Sequence, residues 1–122
     1  MDSNKIILTT DDSAEIVLWK CSSEKSPGHK HIFLTHGTFS NRKVLLGIME
    51  FLVEQGYTCW IMEWRGHGDS PKPSERYNFE TIGLYDVPAV YHYLVNTLSI
   101  DRFSCIAHSG GGVAISIALV KY

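Results

Sequence analysis

The ten residues from Phe103 to Gly112, Phe-Ser-Cys-Ile-Ala-His-Ser-Gly-Gly-Gly, constrain this chain more than any other stretch. A short apolar run delivers one serine into a cluster of small residues, and a segment able to form a helix follows. The stretch therefore reads as a strand, a sharp turn and a helix. Centred on Ser109, the turn Ala-His-Ser-Gly-Gly departs from the pattern G-x-S-x-G by one methyl group, because Ala107 stands at the first glycine position and Gly111 keeps the second. Small residues are needed there for a steric reason. A serine at such a strand end is held in a strained backbone conformation, and bulk two residues before or after it would collide across the turn. Ser109 is thereby the candidate nucleophile.

The rest of the chain supplies a scaffold for it. Lys5 to Thr10 and Glu15 to Cys21 are β-rich runs joined by Asp11, Asp12 and Ser13, which predicts a hairpin. His31 to Thr35 is a short apolar strand that runs straight into His36-Gly37-Thr38. Apolar residues then recur at helical spacing from Val44 to Leu52, with Ser40 or Asn41 as N-cap and Gly56 as the stop. Tyr57 to Glu63 reads as a strand covered on both faces. A loop rich in polar residues follows, and Phe79 to Leu98 is helical, with Asp86 expected as an N-cap so that Pro88 falls in a first turn. The order β-β-β-α-β-α-β-α predicts an α/β fold whose later strands are parallel through right-handed crossovers. Functional groups of such sheets gather at the carboxyl ends of strands, where both His36-Gly37-Thr38 and Ser109 fall.

Composition narrows the function classes. With 44% hydrophobic and 20% charged residues over 122 positions, the chain has the make-up of one ordinary globular domain or part of one. A net charge of -2 leaves no basic stripe for nucleic acid or an anionic membrane, and no apolar run reaches the length of a membrane span. No membrane anchoring is expected, and the expected location is the cytoplasm. Cys21, Cys59 and Cys105 are odd in number and far apart, which predicts buried free thiols and neither a disulfide framework nor a zinc site. No metal or organic cofactor is expected.

Three marks in order resemble the α/β-hydrolase superfamily: His36-Gly37 after the third strand, Arg65-Gly66-His67-Gly68-Asp69-Ser70 after the fourth, and the serine turn after the fifth. Leu84 to Ala89 is similar to a helix start in acid lipases and their bacterial relatives, which points to the lipase and esterase side. The resemblance implies the N-terminal half of that fold over residues 1–122, as part of a single domain. It also implies a serine hydrolase acting on an ester or related acyl bond of a small molecule, with Ser109 as nucleophile. The backbone N–H groups of Gly110 and Thr38 are then the oxyanion donors, with Gly37, Ala107 and Gly111 as the small residues that let the loops approach. His36 is read as ordering the oxyanion loop, and His108 as pointing its ring away from Oγ. Arg65 and Asp69 are read as stitching their loop, while Glu63 stands where the family commonly has Asp.

Two duller readings of the Gly110-Gly111-Gly112 run, a helix N-cap and a phosphate cradle, lose weight beside the other two marks, and the G-x-G-x-x-G spacing of a dinucleotide site is absent. The family's order places an Asp or Glu and then a His after the serine, but Gly110 to Tyr122 contain none of these. The expectation is an active site completed by sequence outside these residues. The alternatives are a non-catalytic module that pairs its open sheet edge with the missing half or another chain, and an acyltransferase or thioesterase of the same fold.

Overall fold

The computed structural model describes residues 2–25, 28, 30–37 and 41–121. Five strands form one sheet in the order β1-β2-β4-β3-β5: β1 Asp2–Thr9, β2 Glu15–Ser22, β3 His31–Thr35, β4 Thr58–Glu63 and β5 Ser104–Ala107. The first two make the expected hairpin, its turn carried by Ser13 in the left-handed region at φ 68°. β2 is antiparallel to β4, while β4, β3 and β5 run parallel, so the sheet is mixed with its parallel part where the helices alternate.

The period of two along each strand divides the core. Phe33, Trp60 and Met62 face one side, while Ile32, Leu34, Cys59 and Ile61 face the other. The second face is covered by a 3-10 turn, Arg42–Leu45, and helix α1, Leu46–Glu54, through Leu45, Met49 and Val53. Asn41 caps that turn by accepting from the Lys43 N–H, whereas Ser40, the other cap candidate, lies outside the described residues. α2, Phe79–Thr81, leads into the cover of the first face, which is made by Ile82, Val87, Val90 and Leu94 in and around α3, Val87–His92, and by Ala114 and Ala118 of α4, Gly110–Lys121. Each large apolar side chain so buried contributes about 1.5–3 kcal/mol.

The helix before β5 begins differently from the sequence expectation. It starts at Asn78, whose side chain and Thr81 form a reciprocal capping box, so Asp86 is not the N-cap. Asp86 has helical dihedrals and lies inside a continuous rod from Phe79 to Thr97. Pro88 is tolerated because a π turn over Ile82–Asp86, closed by Val87 N–H onto the Ile82 carbonyl, leads the chain into it with no demand for a donor.

Helix α4 packs closely on the preceding rod, where a Cβ on Gly83 would fall 2.7 Å from the Ala114 carbonyl oxygen. Ala114 and Ala118 are the small residues on its buried side, while Val113, Leu119 and Val120 are exposed. β5 is a sheet edge among the described residues, and Cys105 on it is exposed, in contrast to the buried thiol expected.

Candidate functional site

The carboxyl ends of β4, β3 and β5 share one edge of the sheet, and the three sequence marks emerge there side by side. β3 and β5 are neighbours, and the ladder continues one step past β5, where the His108 N–H donates to the Thr35 carbonyl at 3.1 Å. This brings Gly37 against Ser109. A Cβ on Gly37 would lie 3.1 Å from Ser109 Cβ and 3.2 Å from both His108 Nδ1 and the His108 carbonyl oxygen, so a side chain at 37 would press into the serine turn.

Ser109 itself has φ 53°, in the left-handed region that costs a non-glycine residue about 1–3 kcal/mol unless its surroundings impose it. Two constraints impose it here. The ladder fixes the chain up to His108, and the helix begins at once beyond, with Gly111 N–H donating to the His108 carbonyl and Gly112 N–H to that of Ser109, each at 2.9 Å. Ser109 is exposed at this junction, while Gly110 and Gly111 are buried beneath it. Thr38 lies outside the described residues, as does Phe39.

His36 is fully buried at 0% exposure, and both ring nitrogens are engaged. The Trp64 N–H donates to Nε2 at 3.1 Å, which fixes the tautomer, so Nδ1 carries the proton and donates to the Gly37 carbonyl at 2.7 Å. The ring therefore ties Trp64, just past the end of β4, to Gly37, two residues past the end of β3. Burial holds its pKa well below the ordinary 6.5, at about 4. The sign of the consequence follows. A histidine that stays neutral when folded contributes full stability above about pH 6.5 and loses it as pH falls towards 4, because the unfolded chain takes up the proton first. The loss amounts to about 3 kcal/mol at the acid end. Urea unfolding at pH 7 and pH 4.5 is expected to show this drop, and His36→Gln to flatten it.

The loop after β4 is held by two carboxylates. Arg65 is buried and grips Asp86, with Nε and Nη2 donating to Oδ1 at 2.9 and 2.7 Å and its backbone N–H donating to Oδ2 at 3.0 Å. Its Nη1 and Nη2 also donate to the Asp12 carboxylate at 2.7 and 2.8 Å, which ties the hairpin turn to the same point. These hydrogen bonds hold Asp12 below the usual carboxylate range, whereas burial pushes Asp86 up against the pull of Arg65. Arg65 is thus the stitch that the sequence suggested. Asp69 contributes its backbone N–H to Glu63 and a loose, exposed ion pair with Lys5 at 3.6 Å.

Glu63 has more to do than its sequence context revealed. Its carboxylate is buried at the end of β4, with Oε1 accepting from Trp19 Nε1 at 2.8 Å and Asp69 N–H at 3.1 Å, and Oε2 from Arg42 N–H at 3.2 Å. Gly68, at φ 53°, wraps over it so closely that a Cβ there would overlap the carboxylate. Ser70 completes the arrangement by donating to the Glu63 carbonyl at 2.6 Å and accepting from Val17 N–H at 2.8 Å. The signal in the sequence is a carboxylate ending a nearly all-apolar strand, which has to find donors when buried.

Among the described residues, no group of three or more His, Cys, Asp or Glu side chains could hold a metal ion, and no helix is long and apolar enough to cross a membrane.

Residues 30–122 match the family described as alpha/beta hydrolase fold. A protein described as a probable lipase from Schizosaccharomyces pombe is 29% identical over 77 residues, which covers 56% of this chain and 17% of that protein. Among solved structures, an esterase from Exiguobacterium antarcticum superposes with a TM-score of 0.81 at 20% identity, covering 98% of this chain and 41% of that one. An esterase from Pyrococcus furiosus superposes with a TM-score of 0.80 at 25% identity, covering 94% and 43%. The chain thus spans less than half the length of these structures and under a fifth of the probable lipase.

Proposed function

Since this chain belongs to the alpha/beta hydrolase fold family, we propose that it carries the nucleophile side of a serine hydrolase acting on carboxylic ester or related acyl bonds. The observation that carries this reading is Ser109, exposed in the left-handed conformation between β5 and α4 and abutting Gly37. In this reading Ser109 Oγ attacks the acyl carbon, and an acyl-enzyme forms that water later hydrolyses. The oxyanion is met by the N–H of Gly110 and that of Thr38, with the partial positive charge at the start of α4 behind them. Ala107, Gly37 and Gly111 keep the approach open, and the cytoplasm is the setting proposed for it.

Neither nearby histidine is assigned as the base. His36 Nε2 is occupied by the Trp64 N–H, and a ring held neutral down to about pH 4 is a poor proton acceptor. His108 directly precedes the nucleophile. The base and its acid are assigned to sequence outside residues 1–122, so the chain alone is expected to show no turnover of p-nitrophenyl butyrate above background. A product extended by the downstream coding sequence is expected to hydrolyse it, and Ser109→Ala in that product to lower kcat by roughly 10⁶. Turnover that survives Ser109→Ala would overturn the reading. A downstream sequence encoding no Asp or His would favour instead a non-catalytic module that pairs through the β5 edge, a reading that rests on the exposure of that strand. Parallel assays with a thioester and with an alcohol acceptor separate thioesterase and acyltransferase activity from ester hydrolysis.

A further inference from the structure

The antiparallel register of β2 on β4 sets Cys21 directly opposite Cys59. Residues so placed project from the same face with Cα atoms about 4.5–5.5 Å apart, inside the roughly 4.4–6.8 Å that a disulfide spans. Both cysteines belong to the cluster beneath α1, and they are 1% and 0% exposed. The 37 residues between them in sequence hide a pairing that the sheet creates. Cys105 is on the opposite face, in register with Phe33, and is out of reach of both.

We propose that Cys21 and Cys59 are a redox-modifiable site, joined reversibly as a cross-strand disulfide at the expense of a low-molecular-weight disulfide such as glutathione disulfide. Cys21 is the attacking thiol. Its sulfur lies 3.6 Å from Ser3 Oγ, it sits one residue from the end of β2, and it pairs with the exposed start of β1. The Cys21 thiolate attacks one sulfur of the oxidant, forming a mixed disulfide and releasing one glutathione thiolate. The Cys59 thiolate then displaces the second glutathione. The protein loses two electrons, the oxidant gains them, and the two thiol protons end on the two glutathione molecules.

Burial sets the rate of this chemistry. It raises both thiols, Cys59 to about 12, so thiolate is scarce while the sheet is closed. Exchange in the folded protein therefore waits for β1 and the end of β2 to fray, and the site responds slowly to a sustained oxidising change.

The test separates the pairing from its rate. The 122-residue chain is unfolded in urea, refolded in a glutathione redox buffer at pH 8, quenched in acid, alkylated under denaturing conditions and mapped by mass spectrometry. The expected product has lost two hydrogens, contains a Cys21–Cys59 peptide pair and leaves Cys105 outside that pair. Its melting midpoint is expected to lie at least about 5 °C above that of the reduced chain. Cys59→Ser is expected to trap glutathione on Cys21, and Cys105→Ser to leave the cross-link intact. Free Cys21 and Cys59 after refolding in oxidising buffer, in both the parent chain and Cys105→Ser, would overturn the proposal, as would a cross-link that includes Cys105.

Discussion

Replacing Asp86 by alanine is expected to destabilise the chain by about 3–5 kcal/mol, the usual cost of stripping one partner from a buried ion pair. Asp86 is 0% exposed, and its two oxygens accept three hydrogen bonds from Arg65. Without it, Arg65, itself 4% exposed, keeps Asp12 but loses the partner for its Nε and for its backbone N–H. Asp86→Asn discriminates further. Its amide oxygen can replace Oδ1, but its NH₂ then confronts the Arg65 N–H donor to donor, so the variant is expected to fall between alanine and the parent. Asp12→Asn weakens only the outer pair, where the Asp12 side chain is 29% exposed, and is expected to cost about 1 kcal/mol. Urea unfolding of the three variants gives the ranking. An Asp86→Ala chain as stable as Asp12→Asn would show that the cluster does not hold the loop after β4.

The same cluster shows where sequence reasoning stops. The order of elements along the chain, the hairpin, the helix over the second face and the placing of two motifs at one sheet edge all follow from local signals: apolar runs, Asp-Asp-Ser, helical spacing and the glycine stop at Gly56. The role of Asp86 is not carried by its local helix context. Next to Pro88 an aspartate resembles a cap, and only the fold reveals a buried cation 21 positions upstream in the sequence. The role of Glu63 is hidden for a related reason, since its donors come from three separate segments at Trp19, Arg42 and Asp69. The pairing of Cys21 with Cys59 depends on strand register, which no count of cysteines contains. Of the candidate site, the serine turn was legible because its signal is steric and local: a small residue, a serine and a run of glycines within a few positions.

That steric signal can be tested one residue at a time, because Gly111 and Gly112 are adjacent in the same helix yet meet opposite surroundings. A Cβ on Gly111 would fall 2.6 Å from the His36 carbonyl oxygen and 2.8 Å from Thr35 Cγ2, on a β3 end that is fixed by its ladder and by the His36 hydrogen bonds. These atoms cannot swing aside as the tip of a long side chain could. Gly111→Ala is therefore expected to cost about 1–3 kcal/mol as the helix start is pushed off the strand end, despite the better helix propensity of alanine. On Gly112 a Cβ would meet nothing within 4 Å, so Gly112→Ala keeps the propensity gain and is expected to stabilise by about 0.5–1 kcal/mol. Opposite signs at neighbouring positions, read from paired thermal and urea unfolding curves, cannot arise from helix propensity, which favours alanine at both. If both substitutions stabilise, the close approach of α4 to β3 is relaxed in solution, and the left-handed conformation of Ser109 loses one of the two constraints that impose it.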